Sequence, residues 1–170
     1  MCFFRPPILV AFFLVKQQVY LYLTIYICVM EVIISINKED VMPEVYKITG
    51  VTGVKSNDLD GISSTEDDEA ILKSYMEEAA SNLSAIISGE SSSFEISADL
   101  ITYTLLLPAN WKQGVQPALE KSMKLYITNY ICMQWFNLAK KDDVSYYRLL
   151  CDNLSLAIKK HLCERNRPSR

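Results

Sequence analysis

The chain is poor in the residues that most often announce chemistry. It has one histidine and five glycines in 170 residues, and its five cysteines, at 2, 28, 132, 151 and 163, include no closely spaced pair. An odd number of cysteines without C-x-x-C spacing fits neither a secreted disulfide framework nor a zinc site, and points to a reducing compartment. Cys132 and Cys151 fall in apolar helical stretches, where a free thiol behaves as a small buried hydrophobe. No G-x-x-x-x-G-K-[ST], G-x-G-x-x-G, G-x-S-x-G or H-E-x-x-H occurs, so the usual phosphate cradles, nucleophile elbow and zinc-protease helix are missing.

The lone His161 sits beside Lys160 near a helix end, and general acid–base work would need a nucleophile or carboxylate to orient it. Cys163 and Asp152 are the partners to weigh, and neither stands at a spacing that marks a catalytic pair. The acid run Glu66, Asp67, Asp68, Glu69 lacks the alternate ligand spacing and turn glycine of a calcium loop. Helix capping accounts for it. Asp58, Asp60 and Gly61 form a D-x-D-G fragment with no loop-closing ligand in register. These absences predict a non-enzymatic chain with no catalytic residue, no cofactor, no metal site and no small-molecule substrate.

A second scarcity lies at the front. Residues 1–29 carry Arg5 and Lys16 and no acid, and their two apolar lobes are split by Lys16, Gln17 and Gln18. A spanning helix wants about 20 predominantly apolar residues, and a mid-bilayer cation costs about 2.5–3.5 kcal/mol. A signal peptide needs a small-residue cleavage site, and none follows the first lobe. Caps and amphipathic stretches begin after Met30, so the leading expectation is that the native start is Met30 and residues 1–29 are a start-site artefact. A membrane anchor over residues 8–29, a signal peptide and a core element stand as the alternatives. The remaining residues 30–170 then make a single mostly helical domain, long enough for a core without disulfides or metals.

The overall charge of −3 hides a strong asymmetry. Residues 37–99 hold 14 acids against 4 bases, whereas residues 100–170 hold 5 acids against 11 bases. Such polarity can steer head-to-tail contact between copies, or simply mark two solvated faces. With an acidic half and no dense basic stripe, the pattern argues against nucleic acid. The cations Lys159, Lys160, Arg165, Arg167 and Arg170 could touch phosphate, and they equally suit a helix C-terminus, whose partial charge is negative.

Residues 31–36 are β-branched and read as a short strand. Asn37 can cap a helix over 38–49, with Asp40 in its first turn, Pro43 as a kink or restart, and Gly50 as the stop; 51–64 then reads as a loop. The clearest helix start follows: Ser64 or Thr65 caps, acids fill the first turn, Leu72, Tyr75, Ala79, Leu83 and Ile86 form the stripe, and Gly89 ends it. After a polar turn at 90–93, residues 94–107 alternate as one strand, with a bulge or tight bend at Asp99. Pro117 opens a long helix to Ala139, and a short connector leads to a last helix over 144–163, making an antiparallel pair.

The fold class expected is mostly α with a minor β element, a strand or hairpin. The apolar surface of the 117–139 helix is too wide for one contact side. Core packing is the default use of its aromatics, and the surplus makes Tyr126, Tyr130, Trp135 and Tyr147, with Lys159 and Lys160, the candidate protein–protein interface.

The order of elements carries one resemblance. An acid-capped helix (TEDDEAILKSYMEEAASNLSAII), an alternating strand (DLITYTLLLPANW) and a helical pair with a basic tail (KKHLCERNRP) follow one another over residues 62–168. This layout resembles head–tail connector or adaptor proteins of tailed phages and prophages, whose first helix follows an acidic cap in a D-x-x-L/I-x-x-Y/A-like pattern, here Asp68, Ile71, Leu72 and Tyr75. The similarity is one of layout and composition, and residues 1–29 have no counterpart in it. The resemblance implies a ring of identical copies without catalysis, contacting portal or tail proteins, in the virion or the bacterial host's cytoplasm. A membrane contact would run only through residues 8–29.

Overall fold

The computed structural model describes residues 29–56, 63–139 and 143–166. Strand β1 (Val29–Asn37) leads into helix α1 (Lys38–Ser56); a short 3-10 turn (Glu66–Asp68) opens helix α2 (Glu69–Ile86). Strands β2 (Ser91–Ile96) and β3 (Leu100–Pro108) form a hairpin, and helices α3 (Gln116–Ala139) and α4 (Val144–Cys163) complete the chain. The fold is mostly helical with one three-stranded antiparallel sheet in the order β1-β3-β2. Residues 1–28, and the D-x-D-G fragment at 58–61, lie outside the described residues.

The strand pattern dictates which face of the sheet is buried. Val32, Ile34 and Ile36 of β1 alternate with exposed or half-buried neighbours, as do Ile101, Tyr103, Leu105 and Leu107 of β3, and these seven side chains join the core. Side chains of a strand point alternately to opposite faces, so one face packs on the helices and the other meets water. The β1–β3 register is unbroken, pairing Ile34 with Tyr103 and Ile36 with Ile101. Lys38 N donates to Asp99 O at 2.9 Å, which fixes the alternation: even-numbered residues of β1 bond to β3, and the backbone N–H and C=O of Glu31, Ile33 and Ser35 turn outward.

Two expectations are corrected here. Residues 94–107 are two strands rather than one, and the tight bend expected at Asp99 is the turn between them: Ser97 N donates to Leu100 O at 2.9 Å, and Leu100 N donates to Ser97 Oγ at 3.0 Å. Helix α1 runs on past Pro43 and Gly50 to Ser56 instead of stopping at Gly50. Val41, Val45 and Thr49 are fully buried, and Thr49 Oγ1 shares a 2.7 Å hydrogen bond with Ser64 Oγ, so tertiary packing holds the helix through its weak positions. Gly50 itself faces Ser63, with no backbone conformation that demands glycine.

Local signals set the other boundaries. Ser64 is occupied by Thr49, so Thr65 is the cap of the acidic turn: its N donates to Asp68 Oδ2 at 2.9 Å and its Oγ1 at 3.1 Å. Asn37 Oδ1 accepts from Glu39 N at 3.0 Å at the start of α1. Helix α3 lies at the centre, touching α1, α2, α4 and β1. Its ends show the direction of the pair. Phe136, near the end of α3, stacks on Tyr147 at the start of α4, with ring centroids 5.0 Å apart. Trp111, just before α3, donates from Nε1 to the carbonyl of His161 at the end of α4, at 2.8 Å. The two helices are therefore antiparallel.

Candidate assembly surface

The four aromatics expected at an interface lie inside. Tyr126, Tyr130, Trp135 and Tyr147 are all buried: the first three because α3 has neighbours on every side and needs apolar surface all round, and Tyr147 of α4 because it stacks on Phe136 of α3. Burial raises the Tyr126 and Tyr147 phenols to about 12. Tyr130 anchors a polar knot between α2 and α3: its hydroxyl donates to Glu78 Oε1 at 2.7 Å and accepts from Asn82 Nδ2 at 2.9 Å and Gln134 Nε2 at 3.0 Å. Truncation of that hydroxyl in Tyr130→Phe is expected to cost about 1–2 kcal/mol by urea unfolding, since Glu78 remains free to turn to water while Asn82 loses an acceptor. A cost near zero would show that the knot adds no stability.

Lys159 and Lys160 are exposed, as the sequence suggested, and they share α4 with a surface that sequence reading did not single out. One side of α4 carries Tyr147, Cys151, Ile158 and Leu162 into the core. At spacings of 3 and 4 on the opposite side run Tyr146, Leu149, Asn153, Leu156 and Lys160, with Tyr146 59%, Leu149 58% and Leu156 64% exposed. Tyr146 is held edge-on against Tyr147, ring centroids 5.2 Å apart, and borders a groove with Ile48 and Val51 of α1. Val51 and Val54 continue the apolar surface there. The spacing of 146, 149, 153 and 156 was legible in the sequence as a second stripe, but only the packing of α3 shows which stripe is left outside.

A complementary surface lies on α2. Leu72, Met76, Ala79, Ala80 and Leu83 face the core, which turns Ala70, Ser74, Glu77 and Ser81 outward behind the acids of the first turn. Residues 66–86 hold six acids and one base, whereas 144–166 hold four Lys or Arg residues and two acids. One face is thus small and acidic, the other bulky, apolar and basic.

The residues weighed for catalysis are not brought together. Asp152 is nine residues before His161 on the same helix, about 13.5 Å along its axis. His161 Nδ1 lies 3.4 Å from Glu164 Oε1, without the alignment of a hydrogen bond, and Cys163 is exposed. What this corner does is close the helix end. His161 O accepts from Trp111 Nε1 and Glu164 N, Leu162 O from Arg165 Nη1, and Glu164 O from Lys112 N. Trp111 and Arg165 also form a β-bridge.

The described residues include no group of three metal-ligating side chains and no helix long and apolar enough to cross a membrane. No family model matches the chain, and neither a curated protein nor a solved structure matches it.

Proposed function

We propose that this chain is a non-enzymatic assembly protein of a tailed-phage or prophage virion, resembling head–tail connectors and acting by oligomerisation. The observation that carries the reading is the α4 stripe, three exposed large apolar side chains in line with Lys160 and flanked by Lys159. Contiguous apolar surface rimmed by charge marks a contact site. The mechanism is heterologous: the bulky basic face of α4 in one copy packs on the small, acidic face of α2 in the next, with apolar burial supplying the energy and charge the orientation. Repetition of one such contact closes a ring. The order of elements over 62–168 supports a connector, with portal or tail proteins as further partners, in the virion or the host cytoplasm.

Light scattering on the full chain tests the assembly. The wild type is expected to form species of more than two copies, and Leu149→Glu with Leu156→Glu is expected to lose them while keeping the helical circular dichroism. A wild type that never exceeds two copies at its highest soluble concentration overturns the ring. Mass spectrometry of purified particles from an induced host tests the station, and a chain missing from them overturns it.

A further inference from the structure

We infer that β1 is a self-pairing edge, through which two copies of the chain join antiparallel across a two-fold axis at Ile33. Two three-stranded sheets thereby become one of six strands.

Among the described residues the sheet has two ends, and they differ. Strand β2 is a protected edge: six residues, serine-rich, with a register break between Ser91 and Ser93. Strand β1 is nine residues long and unbroken in register, with β-branched side chains, no proline, no lysine and one charge, Glu31. Proteins blunt the edges they keep solitary with bulges, prolines, lysines or short strands, and β1 has none of these. Its outward N–H and C=O groups, on Glu31, Ile33 and Ser35, are the ladder of a further strand.

The occupant follows from self-complementarity. An antiparallel ladder must pair outward residues with outward residues, so the axis falls on an odd position or midway between two. Centred on Glu31, it would set two carboxylates against each other. Centred on Ile33, all nine residues pair, Glu31 faces Ser35 of the second copy, and the two Ile33 side chains, each 56% exposed, cover one another. The surface is separate from the α4 stripe, and the pairing stands whether or not the ring forms.

The test uses the full chain with Ile33→Cys. Directly opposed residues of a hydrogen-bonded antiparallel pair have Cα atoms about 5.5 Å apart, within disulfide reach. Mild oxidation is expected to link two chains 33 to 33, identified by peptide mapping, and to do so equally when Leu149→Glu and Leu156→Glu remove the α4 contact. Ser35→Pro removes an outward N–H and no bond to β3, and is expected to weaken two-copy association at least tenfold by sedimentation at an unchanged unfolding midpoint. A single-copy mass at all concentrations, including one caused by upstream chain occupying the edge, overturns the proposal. So does oxidation that links other cysteines but not position 33.

Discussion

Replacement of Trp111 by alanine is expected to cost about 3–5 kcal/mol of folding stability, the range for a fully buried large aromatic. Trp111 is the largest completely buried side chain, set between the end of β3 and the start of α3. Its removal leaves a cavity and deprives the His161 carbonyl of the 2.8 Å indole bond. The backbone bonds Lys112 N to Glu164 O and Asn166 N to Asn110 O flank the same residue and are expected to lose hydrogen-exchange protection first. Trp111→Phe separates the two contributions. It retains most of the apolar burial and loses the donor, so it should cost less than the alanine change but more than the about 1 kcal/mol of an average hydrogen bond. A urea-derived loss under about 1 kcal/mol for Trp111→Ala would show that the loop and the α4 end are not held by this residue.

How much of this was readable in the chain depends on how local each cause is. The acidic helix start, the two last helices and the end of β3 at Pro108 follow from caps, proline and 3-to-4 spacing, all of which act within one turn, and the structure agrees with them. Gly50 misled because a helix stop is a local preference worth about 1 kcal/mol, and the buried row Val41, Val45, Thr49 outweighs it. The tight bend expected at Asp99 is the hairpin turn, closed by Ser97 Oγ bonding both the N and the O of Leu100, without the glycine that flags most tight turns. Trp111 escaped notice because a single aromatic in a loop has no period. The aromatics of α3 failed as surface candidates because a helix apolar all round signals burial on all sides, and only long-range contacts reveal that α1, α2, α4 and β1 supply them. The place of β1 at the edge of the described sheet is non-local as well, since strand order is absent from any window of sequence.

Alkaline pH is expected to unfold the chain well before its exposed groups would, and the buried thiols are the reason. Burial pushes Cys132 and Cys151 up to about 12, with each thiol's neighbours adding to the effect. In the unfolded chain the same thiols ionise near 8.5–9. Between about pH 9 and pH 12 the unfolded state therefore binds fewer protons than the folded one, and stability falls as pH rises. The slope is about 1.4 kcal/mol per pH unit for each thiol that remains protonated only in the folded state, so two together give a steep loss. Tyr126 and Tyr147, raised to about 12 by burial, add to it above pH 10. Below pH 8 these groups contribute no slope. Urea midpoints measured from pH 7 to pH 11 are expected to hold steady and then drop. The double variant Cys132→Ala, Cys151→Ala lowers stability at pH 7 by removing packed sulfur, yet it should flatten the decline between pH 9 and pH 10, where thiols titrate ahead of phenols. The same burial predicts that in the native state at pH 8 iodoacetamide modifies the exposed Cys163 far faster than Cys132 or Cys151. A decline equally steep in the double variant, or equal labelling of the three, would mean that these sulfurs are not sealed in the interface between α3 and α4.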